Sequence, residues 1–430
     1  MTAETTPKSM RMQIGLFGRT NVGKSSFLNM VAGQDVAITS PVPGTTTDVV
    51  EKAMELLPLG PVVFLDTAGL DDASVLGAAR TARAQRVFDR ADVAVLLTES
   101  GVWGEHEERV VAEARARRVP LIAVVNKADL RPPDAAFRDE LAAQTPHTVV
   151  CAATDAVARE RQVEAFKRVL VAAAPEGCLA EPALVGDLLP AGGLLVLVVP
   201  IDLQAPRGRL ILPQVQTLRD ALDHDAAALV VKERELPHAL SRLRDAPSLV
   251  VCDSQVVQKV VADVPPQAPC TTFSILFARH KGDLAAEAGG VAAADRLRPG
   301  DRVLVAEACS HHPLQDDIGR VKIPRWLRQY AGVDLAIDTC AGRDLPADLG
   351  AYRLVIHCGA CMLTRREMLR RVAQAREAGV ALTNYGLCIA HVQGVLARAL
   401  SPFPAAAEAY RRALEAGRGQ QEPRDTGRGL

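Results

Sequence analysis

The chain has 430 residues, 48% of them hydrophobic and 23% charged, with a net charge of −1. That length exceeds one ordinary core and implies roughly two to four domains. The charge balance excludes a general nucleic-acid or membrane binder, and no apolar run is long enough to cross a bilayer.

Met1 to Met10 lack the apolar core of a secretory signal. Nine cysteines, an odd count and mostly single, fit a reducing cytoplasm. There they serve as thiols or metal ligands rather than disulfides.

In chain order, Met12 to Phe17 reads as a strand, and Ser26 to Ala32 as the start of a helix. Between them stands Gly18-Arg19-Thr20-Asn21-Val22-Gly23-Lys24-Ser25, the G-x-x-x-x-G-K-[ST] phosphate loop in its required context. Its glycines let backbone N–H groups and a helix N-terminus face phosphate oxygens. Lys24 is expected on the β- and γ-phosphates, Ser25 on Mg²⁺, with Ser26 beside it.

Pro43-Gly44-Thr45-Thr46-Thr47-Asp48 supplies a switch threonine. Thr46, next to Thr45, is expected to reach Mg²⁺ and the γ-phosphate. Val62 to Leu65 is a strand ending in Asp66-Thr67-Ala68-Gly69. Asp66 is expected in the Mg²⁺ shell, and the Gly69 amide senses the γ-phosphate. Val93 to Leu97 is a buried strand. Leu121 to Val125 leads into Asn126-Lys127-Ala128-Asp129, which selects guanine through the Asp129 carboxylate. Val149 to Ala153 places Cys151 and Ala152 under the base. The catalytic set is Lys24, Thr46, Asp66 and Gly69.

Five boxes in this order, at or just beyond strand ends, describe an open α/β sheet with GTP at its carboxyl edge. Arg11 to Ala174 resembles GTPases of the TrmE and Era kind. Leu70 follows Gly69 where Ras-type enzymes carry a water-positioning glutamine, so intrinsic hydrolysis is expected to be slow. In TrmE-like GTPases the position of Asn21 holds K⁺, and the resemblance implies potassium-stimulated turnover.

Pro175 to Ala191 reads as a linker. A new strand–helix rhythm follows. Strands are expected at Leu194–Val199, Ala227–Val231 and Leu249–Val251, with helices at Pro213–Leu222 and Leu236–Arg244. This unit carries no chemical constellation, and self-association is its expected role. Cys252 and Cys270 read as packing residues. The Pro-rich Val264 to Pro269 marks the next boundary.

In the last third, the strand Arg302 to Ala306 ends in Glu307-Ala308-Cys309-Ser310-His311-His312. The strand Leu354 to Ile356 ends in His357-Cys358-Gly359-Ala360-Cys361, with a helix over Thr364–Ala378. C-x-H and H-C-x-x-C thus both lie just past strand ends, which meet on one edge of a parallel sheet. Three thiolates with an exchangeable fourth position suit an iron–sulfur cluster, and three with a histidine equally suit zinc. The free N–H groups of the following helix favour thiolates. Cys340, after a strand expected at Val333–Ile337, and Cys388 read as packing residues. His312 reads as a solvated loop residue.

The whole order, together with Asp66 to Asp72 and Thr383-Asn384-Tyr385-Gly386, resembles the HydF family of FeFe-hydrogenase maturation GTPases over nearly all of Arg11 to Leu400. The resemblance implies a 4Fe-4S cluster on Cys309, Cys358 and Cys361. Its fourth ligand would be His311 or His357, with Glu307 behind them. It further implies a cytoplasmic homodimeric scaffold that receives a di-iron precursor. Two radical-SAM enzymes make that precursor, and the scaffold passes it to apo FeFe-hydrogenase. The expected organisation is an α/β GTPase domain (10–175), a linker (176–192), an α/β dimerisation domain (193–266), an α/β metallocluster domain (267–412) and a polar tail (413–430). The alternative is an RNA- or ribosome-associated assembly GTPase with a zinc-stabilised end domain.

Overall fold

The computed structural model describes residues 10–32, 50–57, 59–66, 77–175, 182–200, 210–308, 317–342 and 344–418. It forms two compact units, Met1–Glu181 and Pro182–Leu430.

The first unit is built on β1 (Met12–Gly18), β2 (Val50–Leu56), β3 (Gly60–Asp66), β4 (Val93–Glu99), β5 (Leu121–Asn126) and β6 (His147–Val150). Their order is β2-β3-β1-β4-β5-β6. Only β2 runs antiparallel to its neighbour; the other pairs are parallel. The centre strands are near-continuous apolar runs because helices cover both faces of the sheet. All of β1 is buried, down to Gly18. Parallel pairing therefore brings Gly18, Asp66 and Asn126 to one edge.

The second unit holds two four-stranded sheets. One contains β7 (Leu194–Val198), β8 (Ala227–Val231), β9 (Leu249–Cys252) and β10 (Cys270–Thr272), in the order β10-β9-β7-β8. The other contains β11 (Arg302–Glu307), β12 (Ala336–Ala341), β13 (Leu354–His357) and β14 (Ala381–Asn384), in the order β12-β11-β13-β14. Every neighbouring pair is parallel. One continuous apolar core joins them, running from Leu197 and Val251 through Leu276 to Val305, Ile356 and Leu387. The helices Phe273–Lys281 and Tyr385–Val392 meet closely there: a Cβ on Gly386 would stand 2.7 Å from Ser274 Cβ.

Three local differences from the sequence expectation have physical causes. Leu184 and Val185, inside the expected linker, are buried in the shared core. β10 lies beyond the Pro-rich stretch yet pairs with β9, because Pro265 to Pro269 form a turn that returns the chain to the same sheet. β12 begins at Ala336 rather than Val333. Gly332, at φ 67°, ends the helix Ile323–Ala331, and the Asp334 carbonyl is held by the Gly300 N–H, so pairing starts later. Cys340 thus sits inside the strand.

Cys252, Cys270 and Cys388 are buried, as packing residues should be. Burial pushes the Cys388 thiol up to about 12.

The helix Leu284–Gly290 packs on β14 and on the helix Pro404–Arg418. It buries Glu287 completely, and among the described residues neither carboxyl oxygen has a hydrogen-bond partner. Burial raises its pKa from 4.5 to about 8. The folded state therefore binds a proton that the unfolded chain releases, so stability is full below pH 4.5 and falls as pH rises toward 8. Glu287→Gln is expected to remove that decline. Urea unfolding of both proteins at acidic and mildly alkaline pH checks it, and parallel pH profiles would refute it.

Candidate functional sites

In the first unit, β1 delivers the loop 18–25 into the helix Lys24–Ala32. Gly23 has φ 93°, and a Cβ there would lie 2.3 Å from Asn126 Nδ2, so both the backbone and the neighbour demand glycine. Asn21, at φ 60°, takes the left-handed conformation that asparagine tolerates. Lys24 is buried, and its Nζ donates to Gly18 O at 2.8 Å and Arg19 O at 2.9 Å. The ammonium thus spans the loop it would share with a phosphate. Ser25 is exposed and Ser26 half-buried. Asp66 is buried at the end of β3.

Asn126 ties the site together. Its Nδ2 donates to Val22 O at 2.9 Å, and its Oδ1 accepts from Ala153 N at 3.0 Å. The phosphate loop and the loop beyond β6 therefore share one side chain. Lys127, at φ 57°, reaches back to Glu99 at 2.6 Å. Asp129 is exposed just beyond β5. Cys151 and Ala152 are buried. Burial, reinforced by Asp129, pushes the Cys151 thiol up to about 12. Thr45, Thr46 and Gly69 lie outside the described residues.

One contact had no sequence signal. Arg19 Nε donates to Glu107 at 2.7 Å, and Glu107 is fully buried while also accepting from Gly104 N at 3.1 Å. This fastens the phosphate loop to the helix Glu105–Ala116, 88 positions away in sequence. No motif spacing encodes that pair.

In the second unit, β11 and β13 are neighbours, and Ala306 O accepts from Cys358 N at 2.9 Å. Ala308 N then lies 3.1 Å from Cys358 Sγ. The last described residue of the β11 end, Ala308, thus meets the sulfur of Cys358. Cys309 and His311, with His312, lie outside the described residues. Among the described residues no three metal-donor side chains converge.

Cys361 follows a turn in which Ala360 has φ 53°. The Lys281 ammonium, itself buried, donates to the carbonyls of Ala360 (3.3 Å), Cys361 (3.2 Å) and Leu363 (2.7 Å). The helix amides expected at the sulfurs are partly used otherwise. Thr364 and Glu367 form a capping box at the start of the helix Arg365–Glu377, and Ala308 N lies at the Cys358 sulfur.

His357, one of the expected fourth ligands, is held by two contacts. It is fully buried, with Nδ1 2.7 Å from Cys358 O and Nε2 2.5 Å from the Arg371 guanidinium. A neutral ring satisfies both contacts, with its proton on Nδ1 and its lone pair on Nε2 facing Arg371. Burial, with the Arg371 charge beside it, pushes its pKa down to about 3. Both ring nitrogens are engaged in these contacts. Glu307 is also buried and pairs with Arg320 at 2.9 Å.

Three family descriptions match the chain in succession. The 50S ribosome-binding GTPase family covers residues 13–127, the hydrogen maturase F dimerization domain 184–282, and the hydrogen maturase F tetramerization domain 286–402. The chain belongs to the hydrogen maturase F (HydF) family. Its first unit is a P-loop GTPase domain, and the second carries the family's two oligomerization domains. The tetramerization description adds an assembly role to the domain expected to hold a cluster.

Among curated relatives, the tRNA modification GTPase MnmE of Synechococcus is 44% identical over 128 residues, 29% of this chain and 27% of that protein. MnmE of Nitrosomonas europaea is 38% identical over 120 residues, 28% of this chain and 26% of that protein. The chain thus spans about a quarter of the length of these relatives. Among solved structures, Aquifex aeolicus Era is 20% identical, with a TM-score of 0.31, covering 53% of this chain and 97% of that one.

Asn126→Ala would orphan two backbone groups, Val22 O and Ala153 N, each at a cost of about 1–3 kcal/mol if left unsatisfied. Fluorescent-GDP titration is expected to show affinity weakened by roughly tenfold or more. Unchanged affinity would mean that the bridge does not shape the nucleotide site.

Proposed function

We propose that this chain is a GTP-hydrolysing scaffold that assembles the di-iron subcluster and delivers it to FeFe-hydrogenase. In the first unit, Lys24, Thr46, Asp66 and Gly69 act on Mg²⁺-bound GTP. Ser25, Thr46 and Asp66 hold the magnesium. Gly18, Gly23, Ser26 and Thr45 cradle the phosphates. Asn126, Lys127 and Asp129 bind the guanine, with Cys151 and Ala152 beneath it. Asn21 holds K⁺, which stands in for the missing glutamine and makes a slow hydrolysis potassium-stimulated.

In the second unit, Cys309, Cys358 and Cys361 hold a 4Fe-4S cluster. His311, His357, Glu307 or an exchangeable group takes the fourth position. The cluster supplies a metal-bound platform for the di-iron cargo, and the protein's thiolates anchor it. The partners are two radical-SAM maturation enzymes and apo FeFe-hydrogenase. The chain works as a cytoplasmic assembly of at least two copies, through the domain spanning 193–266.

The observation that carries this reading is the contact of Ala308 N with Cys358 Sγ at 3.1 Å. It sets the described end of β11 against the H-C-x-x-C cysteine in a chain with HydF domain order. A backbone N–H on sulfur is the bond a cluster-ligating thiolate accepts. The RNA-associated alternative draws nothing from the tRNA-modification relatives, which align over about 29% of the chain.

Anaerobic purification with iron, sulfide and zinc analysis tests the reading. About four irons and four sulfides per chain are expected for a three-cysteine site. A colourless protein with one zinc would overturn the cluster assignment. Two variants separate the sites. Lys24→Ala is expected to slow GTP hydrolysis by about a hundredfold or more while keeping its iron. Cys358→Ser is expected to lose the iron and hydrogenase activation while hydrolysis stays near wild type. Loss of both properties in either variant would show that the two sites are one.

A further inference from the structure

The loop that carries Cys358 and Cys361 is flanked by two buried cations. Arg371 projects from the helix Arg365–Glu377 and is 2% exposed. Its guanidinium donates to Gly342 O, just past β12, and to His357 Nε2, at the end of β13. Its Nε is buried with no hydrogen-bond partner, and among the described residues Arg371 forms no ion pair. Glu367, on the same helix, directs Oε2 to Thr364 N and Oγ1. On the other side Lys281, also 2% exposed, donates to three carbonyls of the loop.

A guanidinium removed from water without a carboxylate is strongly unfavourable unless an anion shares its site. The charges that Arg371 meets are Cys358 and Cys340 first and then the carboxylates of Glu367 and Asp344, neither of which forms an ion pair with it among the described residues, and Lys281 grips the carbonyl of Cys361 itself at 3.2 Å. A group ligated by thiolates brings negative charge to the place where this balance is missing.

We propose that Arg371 and Lys281 form a two-cation cradle for an anionic thiolate-ligated cluster, Arg371 as its counter-charge and Lys281 as the clamp on its loop. The inference rests on the cluster reading above and assigns to that site two positioning residues that bind no metal. Each cation favours the more negative, reduced state of the cluster. Its removal should lower the midpoint potential. Because Lys281 ends the helix Phe273–Lys281, which follows β10, the cradle also joins the middle sheet to the cysteine loop.

The test is a redox titration of the anaerobically reconstituted full-length protein, followed by electron paramagnetic resonance, with iron counted in every sample. Arg371→Met is expected to keep most of its iron and lower the potential by ~59 mV, a tenfold change for a one-electron couple. Arg371→Lys is expected to restore most of the shift, which a purely structural role would not. Lys281→Met is expected to lower the potential and to lose iron faster to a chelator. If Arg371→Met does not fold, the Arg371→Lys and Lys281→Met pair decides the matter. Iron-loaded wild type and variants with one common potential would overturn the cradle alone. Iron-free wild type would overturn the cluster reading and the cradle with it.

Discussion

Parallel pairing of β11 with β13 is the constraint on which the placement of the cysteine loop depends. Two short motifs some fifty positions apart cannot cooperate unless their strands run the same way and end together. The bond from Cys358 N to Ala306 O, at 2.9 Å, enforces that register. A one-residue slip would turn every side chain of β13 to the opposite face, sending Val355 and Ile356 into each other's cores. The apolar packing of Leu354 and Ile356 on one side and Val355 on the other therefore also holds the cysteine loop in place.

The same arrangement recurs in the first unit with different chemistry. There the carboxyl edge gathers Gly18, Asp66 and Asn126, and a single amide side chain stitches two loops. In the second unit buried charges take over the stitching. Lys281 holds carbonyls, Arg371 holds a carbonyl and an imidazole, and Glu307 meets Arg320. Amides suffice where the loop must cradle a phosphate with its own backbone. Cations at the cysteine loop add long-range charge, which amides lack.

The sequence was most legible where a motif demands a backbone shape. Gly23 and the Asn126 box could be placed because only a few residues satisfy those conformations, and long apolar runs such as β1 and β4 announce buried parallel strands. It was least legible where the partner lies far away in the chain. Nothing in the spacing shows that Glu107 meets Arg19, that Lys281 reaches the cysteine loop, or that Arg371 meets the His357 lone pair. His357 looked like a ligand because a histidine beside cysteines has metal-binding composition. Only the helix packed against it reveals that both nitrogens are engaged. For a similar reason the pairing of β10 with β9 across the Pro-rich stretch could not be read from the chain.

The burial of the cysteines has a practical consequence for chemical labelling. Cys151, Cys252, Cys270 and Cys388 are sealed in apolar packing, and burial raises the thiol pKa of each. Thiols so placed are poor nucleophiles toward alkylating reagents. Cys358 and Cys361 are only partly enclosed, and at Cys361 the Lys281 ammonium offsets part of the upward push of burial. A brief pulse of iodoacetamide followed by peptide mass spectrometry would mark them against a quiet background formed by those four. Protection at those two positions would then report occupancy of the loop directly, in a crude lysate and without purification.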